Sequence, residues 1–237
     1  MTRRRWIADT WAAGTATLTG DQAAHLARVL RATPGQVFDV VAGGFLHRAE
    51  IVSVSDHEVV FTLHEELESD TALPLHLLLA IFKFDHMEWA IEKATELGVG
   101  RITPIIARRT DKHLTQAAAK RAERWRRIAL EASKQSRRTT IPTIEDPSHL
   151  KAALEHEDSP TRILLSETEQ ATTIAAALSK SPLTGIALAI GPEGGWTADE
   201  MKLFSTHNWQ PVTLGPRILR AETAAIAAIA ITSSLYT

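Results

Sequence analysis

Hydrophobic and polar positions follow two different rhythms along this chain, and the change falls near residue 74. Before it, short β-favouring runs are punctuated by turn residues: Thr15–Thr19, Val37–Ala42, Phe45–Val54 and Glu58–His64 read as strands. Gly43-Gly44 and Ser55-Asp56-His57 separate the last three, and Pro34-Gly35 marks a turn ahead of them. Between Asp21 and Arg31 the spacing predicts a short helix, with Ala23, Leu26, Ala27 and Leu30 on one face and Asp21 at its positive end. Short strands joined by tight turns point to a small barrel, and the acidic stretch Glu65–Asp70 ahead of Pro74 reads as a linker.

From Leu75 onward, strands and helices alternate. Leu75–Ile81 is a continuous apolar run, as expected of a strand covered on both faces. A helix over His86–Leu97 places Met87, Ala90, Ile91, Ala94 and Leu97 on one stripe, and Gly98 stops it. Ile102–Ile106 is the next strand. A long helix, Thr115–Ser136, buries Ala118, Ala122, Trp125, Ala129 and Ala132 and turns Lys120, Arg121, Arg124, Arg127 and Lys134 outward. Arg162–Ser166, Gly185–Ile190 and Pro211–Leu214 follow as strands. Thr197 and Glu200 have capping-box spacing at the head of a further helix. The last helix, Glu222–Ser234, is apolar around most of its circumference and must be buried in the domain or against another subunit. This alternation predicts a mostly parallel α/β domain over residues 74–237, after a β-rich domain over residues 1–70.

Composition narrows the chemistry. The 237 residues include no cysteine, which excludes disulfides, thiolate catalysis and cysteine-ligated metals. No apolar stretch follows the basic start MTRRRW, and the Ala224–Ile231 run is short for a membrane span, so a cytoplasmic protein is expected. The formal net charge of −2 conceals a basic segment: Arg101–Arg138 holds twelve Lys/Arg against Asp111, Glu123 and Glu131. Such a concentration suggests a face for a polyanion, without choosing between RNA and DNA.

Two glycine-bearing turns carry the candidate chemistry. IGPEGGWTADE (Ile190–Glu200) and LGPRILRAETAA (Leu214–Ala225) each follow a short buried strand and lead into a helix. Glycine at a strand end lets backbone groups approach a ligand without Cβ interference, so two such turns can converge on one small molecule. Neither turn is a Walker A loop, a dinucleotide fingerprint or a nucleophile elbow, and the ten histidines show no zinc-like spacing.

These turns, together with MEWAIEKATELGV (Met87–Val99) and HLARVLR (His25–Arg31), resemble the motifs of the RsmE family, SPOUT-class methyltransferases acting on N3 of a uridine in 16S ribosomal RNA. The resemblance implies an N-terminal PUA-like barrel, a C-terminal α/β domain with a deep trefoil knot, a homodimer, and no metal. It also implies S-adenosyl-L-methionine as cofactor and 16S rRNA of the small subunit as partner. By the same resemblance the cofactor loops comprise Leu165, Ser166 and Glu167; Gly191, Gly194 and Gly195; and Leu214, Gly215, Ile218, Leu219 and Arg220, with Thr223 and Ala224 closing the pocket. A non-catalytic RNA-binding assembly factor, or a related methyltransferase with another RNA substrate, is the competing reading.

Methyl transfer to uracil N3 requires an unpaired or flipped base, in-line positioning and some means of dealing with the N3 proton. Arg220, at the mouth of the last helix, is the first candidate for stabilising a uracil anion; its alternative is an ion pair with Glu222 or Glu193. Glu193 is a candidate base or cofactor-orienting group, or else a cap for the following helix. Glu222 is a second candidate base, or a helix N-terminal charge. Arg4, Arg28 and Arg31 from the barrel, and Arg108, Arg109, Arg124, Arg127, Arg137 and Arg138 along the basic segment, are candidate RNA contacts. Trp6, Trp11 and Trp196 have the chemistry to stack on bases, but core packing is the expected role of each.

Overall fold

A computed structural model describes residues 5–68 and 72–236. Its contacts divide the chain into two units, Met1–Thr71 with Ser133–Thr140, and Ala72–Ala132 with Ile141–Thr237.

In the first unit the elements are β1 (Arg5–Ile7), β2 (Thr10–Ala12), β3 (Thr15–Thr19), α1 (Gly20–Ala24), β4 (Val37–Ala42), β5 (Phe45–Val54) and β6 (Glu58–Leu67). They form one six-stranded sheet in the order β1-β4-β5-β6-β3-β2. The sheet closes on itself through the first chain segment: the Ala8 N–H bonds the Val41 carbonyl on β4 (2.8 Å), and the next N–H, of Asp9, bonds the Thr17 carbonyl on β3 (2.9 Å). Trp6, Leu18, Leu26, Val40, Ala49, Ile51, Val59 and Phe61 fill the interior, as the alternation of each strand requires.

Three expectations change here. The Asp21–Arg31 helix is α1 followed by a π-helical turn, His25–Val29. Its wider winding bonds the Leu30 N–H to the His25 carbonyl and leaves Leu30 46% exposed rather than on the core stripe. The strand expected to end at His64 runs on to Leu67, where Glu66 pairs with His47, so the acidic stretch begins as sheet and not as linker. Trp11 is 56% exposed and not in the core.

The second unit contains β7 (Leu73–Ala80), α2 (Phe84–Glu96), β8 (Val99–Ile106), α3 (Lys112–Ser136), β9 (Thr143–Ile144), β10 (Ser148–His149), α4 (Leu150–Glu155), β11 (Thr161–Leu165), α5 (Ile174–Leu178), β12 (Ile186–Ile190), α6 (Ala198–Thr206), β13 (Gln210–Val212) and α7 (Ala221–Ser233). The strands pair in parallel in the order β10-β8-β7-β12-β11-β13, with β9 also on β8. The final turn of α3 is counted with the first unit.

Both faces of this sheet are covered, which is why β7 and β12 are apolar at every position but few. Leu75, Leu77, Leu79, Ile186, Leu188 and Ile190 pack with Met87, Ile91, Trp125, Ala225 and Ile229 of the helices on one face. Leu78, Ala187 and Ala189 pack with Leu150, Leu154, Phe204 and Trp209 on the other. Gly98 ends α2 at φ +95°, where a Cβ would also press on Leu73 at 3.3 Å. Thr197 and Glu200 form the expected capping box on α6.

Candidate active site

Strands β12, β11 and β13 lie side by side and in parallel, with Ala189 opposite Leu164 and Leu165 opposite Val212. Their C-terminal ends therefore finish at one level, and the three loops that follow enclose a cavity of about 900 Å³. Crevices beyond strand C-termini are where open α/β sheets bind ligands.

Each loop is shaped by its own short-range bonds. After β11, Ser166 N–H bonds the Val212 carbonyl (3.0 Å), and Glu169 Oε1 accepts the N–H groups of Ala171 and Thr172 (2.8 Å each). Those amides hold the Glu169 carboxyl below its ordinary range. After β12, the Gly195 N–H closes a turn onto the Pro192 carbonyl (2.8 Å) with Gly195 at φ +68°. After β13, the Thr213 hydroxyl bonds both the N–H (3.1 Å) and the carbonyl (3.2 Å) of Gly215, which sits at φ +112°.

The cavity wall includes Leu165, Ser166 and Glu167; Gly191, Glu193, Gly194 and Gly195; and Leu214, Gly215, Ile218, Leu219, Arg220 and Ala224. Arg220 is exposed at the N-cap of α7, where its carbonyl accepts the Ala224 N–H (2.8 Å); its side chain makes no hydrogen bond or ion pair among the described residues, so neither Glu222 nor Glu193 neutralises it. Glu193 is exposed as well. It does not cap α6, a task performed by Thr197 and Glu200; its Oε1 lies a long 3.5 Å from the Lys83 N–H.

Two expected members are elsewhere. Glu222 is not in the cavity wall: it is 5% exposed and its Oε1 lies 3.0 Å from His86 Nδ1, tying α7 to α2. Thr223 is exposed and also outside the wall, because α7 starts at Ala221 and its helical turn swings position 223 away while returning Ala224.

Sequence reasoning missed several wall residues. Thr168, Glu169, Gln170 and Thr173 belong to the β11 loop, and Trp196 and Met201 lie beyond the Gly194-Gly195 turn. Trp196 packs edge-on to Phe204 and leaves its Nε1 buried without a protein partner, close to where a Cβ on Gly191 would fall (3.1 Å). Arg109, expected to contact RNA, is in the wall too, donating from Nη1 to the Gly194 carbonyl at 2.5 Å.

The other candidate RNA contacts divide. In the first unit Arg28 is engaged by Asp56 (2.8 Å), Arg31 is exposed at φ +49°, and Arg4 lies outside the described residues. Arg137 takes φ +62° beyond α3 and offers its carbonyl to Arg5 Nη1 (2.6 Å), while burial lowers Arg138 to about 10. In the second unit Arg124 is gripped by Glu88 at two points, 2.6 and 2.8 Å, and is not a free cation. Arg108 and Arg127 are exposed, and Arg127 has no side-chain partner among the described residues. No cluster of metal-ligating side chains exists among the described residues, nor does any helix there have the length and apolarity to cross a membrane.

Known proteins match the whole arrangement. The family model for the RNA methyltransferase domain matches residues 69–233, and that for the RNA methyltransferase PUA domain matches residues 18–63. The chain is 36% identical to the ribosomal RNA small subunit methyltransferase E of Synechocystis sp., over 91% of this chain and 72% of that protein. It is 31% identical to the protein of the same name from Bacillus subtilis, over 92% of this chain and 89% of that one. The Neisseria gonorrhoeae ribosomal RNA small subunit methyltransferase E bound to S-adenosyl methionine superposes with a TM-score of 0.83 at 31% identity, covering 98% of both chains. By sequence and by its α/β fold with a PUA-like N-terminal domain, this chain belongs to the RNA methyltransferase family that contains the ribosomal RNA small subunit methyltransferases E.

Proposed function

We propose that this protein methylates N3 of a uridine in 16S rRNA of the small ribosomal subunit, using S-adenosyl-L-methionine. The observation that carries the reading is the meeting of three strand-end loops around one cavity, with an exposed carboxylate and an arginine unpaired among the described residues in its wall. The residues present suit that donor. Ile190, Val212, Leu214, Leu219 and Ala224 supply apolar walls for a flat base, and Glu193 and Glu167 supply negative charge for an ammonium and a sulfonium. The orphaned Trp196 Nε1 is a donor available to a polar ligand atom.

Bound there, S-adenosyl-L-methionine supplies an electrophilic methyl group on a cationic sulfur. The N3–C bond forms as the S–C bond breaks, and the N3 proton leaves to a base or to water. Arg220 is the group that stabilises the negative charge developing on the uracil ring. Glu193 is the carboxylate available at the cavity mouth to orient the donor or to receive the proton. Glu222, buried on His86, does neither.

The wider reading follows from the family resemblance. Residues 1–70 act as a PUA-like RNA-binding domain and residues 74–237 as a SPOUT methyltransferase domain whose chain forms a deep trefoil knot. Two copies pair as a homodimer, in the cytoplasm. Exposed Arg31, Arg108, Arg127 and Arg137 serve the RNA phosphates.

Labelled S-adenosyl-L-methionine incubated with small subunits from cells lacking this protein tests the reading, with the product nucleoside identified by mass spectrometry. The expected product is 3-methyluridine. Another methylated nucleoside, or no incorporation into any ribosomal substrate, overturns it.

A further inference from the structure

Arg109 sits in the loop between β8 and α3, apart from the three strand-end loops that carry the glycines. Its own turn is held at three points. The Thr110 N–H bonds the Ala107 carbonyl (3.1 Å), the Thr110 hydroxyl bonds the Ile81 carbonyl (3.1 Å), and the Arg108 N–H bonds Glu200 Oε1 (2.8 Å). The other Glu200 oxygen accepts the N–H and hydroxyl of Thr197, each at 2.8 Å, at the head of α6. One carboxylate, 5% exposed, therefore anchors two things: the helix that follows the Gly194-Gly195 turn, and the loop that presents Arg109.

From that anchor the Arg109 guanidinium reaches the Gly194 carbonyl. Its stem lies along the turn so closely that a Cβ on Gly194 would come within 3.2 Å of Arg109 Cδ and 3.4 Å of its Cβ. The side chain of Arg109 therefore crowds Gly194, where the sequence suggested only a close approach by a ligand. A turn carrying adjacent glycines has many conformations open to it, and a ligand that must order such a turn loses affinity in doing so.

We propose that Arg109 is a positioning residue of the methyl-donor site, fixing the Gly194-Gly195 turn through the Gly194 carbonyl, with Glu200 as its anchor. This rests on reading the cavity as the donor site. The bond holds the guanidinium against the turn rather than outward towards a phosphate, the role its place in the basic segment suggested.

Donor binding by calorimetry on the full chain, together with RNA binding over a salt series, tests the assignment. In Arg109→Met the donor Kd rises about tenfold or more, and KM for the donor rises more than kcat falls. Arg109→Lys recovers part of the loss because an ammonium still donates one hydrogen bond. The salt slope of RNA binding stays as in the wild type. Unchanged donor affinity with a salt slope lower by about one phosphate contact overturns the proposal. Gly194→Ala supplies an independent arm: its cost to donor binding shrinks when Arg109 is already Ala, which lacks the Cδ that the new methyl would crowd, whereas additive losses count against the proposal. Should Arg109→Met not fold, Arg109→Lys and Gly194→Ala carry the same comparison. A wild-type protein that binds no donor defeats the functional reading itself, a result distinct from wild-type binding that is insensitive to Arg109.

Discussion

His86 Nδ1, in the first turn of α2, lies 3.0 Å from Oε1 of Glu222 in the first turn of α7, and the Glu222 side chain is only 6% exposed. This contact ties α7 to α2 and gives Glu222 a structural task. Glu222→Ala takes this contact from an imidazole that is 35% exposed, and lowers stability by about 0.5–1.5 kcal/mol. Urea unfolding measures that loss, and donor affinity measured alongside it stays within about threefold of wild type. A selective loss of turnover in a fully stable variant contradicts the structural role.

Arg220 is the converse case, exposed and with a side chain that has no partner among the described residues. Removing a group that stabilises transition-state charge costs about 10²-fold or more in rate. Arg220→Ala therefore loses turnover by about that factor, while its melting temperature, having no ion pair to lose, stays near wild type. A large fall in melting temperature contradicts this assignment.

Two arginines of α3 separate RNA contact from packing. Arg127 is free among the described residues, whereas Arg124 is committed to Glu88. Arg127→Ala reduces the salt slope of RNA binding by about one; Arg124→Ala leaves the slope near its wild-type value. Titrations of RNA at several salt concentrations distinguish the two.

Acid sensitivity has a specific source in the second unit. Glu157, 4% exposed, is hydrogen-bonded to His76 Nδ1 and to the Ser159 N–H (2.9 Å), and His76 Nε2 lies 2.8 Å from the Thr103 hydroxyl. Burial alone raises the Glu157 carboxyl, but the hydrogen bonds from His76 and Ser159 and the charge of His76 outweigh it and hold it at about 2. The folded value is below the unfolded one, so this carboxylate stabilises the fold fully above about pH 4.5 and ceases to do so as pH falls towards 2. The contribution is on the order of 3 kcal/mol. Urea midpoints measured across that window fall more steeply for the wild type than for Glu157→Gln.

Legibility in the sequence followed the range of the forces involved. Val37–Ala42 and Phe45–Val54 were readable to the residue because turn residues, Pro34-Gly35, Gly43-Gly44 and Ser55-Asp56-His57, bound them. The Thr197–Glu200 capping box is a contact three residues long and was equally plain. Helices α4 and α5 escaped notice because one turn and a half shows no periodicity, and the two-residue β9 and β10 exist only by pairing with β8. The glycine loops of the cavity were legible from local composition. Arg109 on Gly194 and Glu222 on His86 were not, since each partner lies far away in the chain and nothing local marks it.

Ser133–Thr140 belongs to the first unit although most of the first half of the second unit precedes it in the chain. This orders events on the synthesising ribosome. When Thr71 has emerged, Arg5 has no Arg137 carbonyl to bond, and that acceptor arrives only after β7, α2, β8 and all of α3. The N-terminal unit is therefore begun first and finished late. A gene fragment ending at Thr71 encodes a barrel lacking one of its own segments, and a minimal version of that unit has to supply residues 133–140 as a graft.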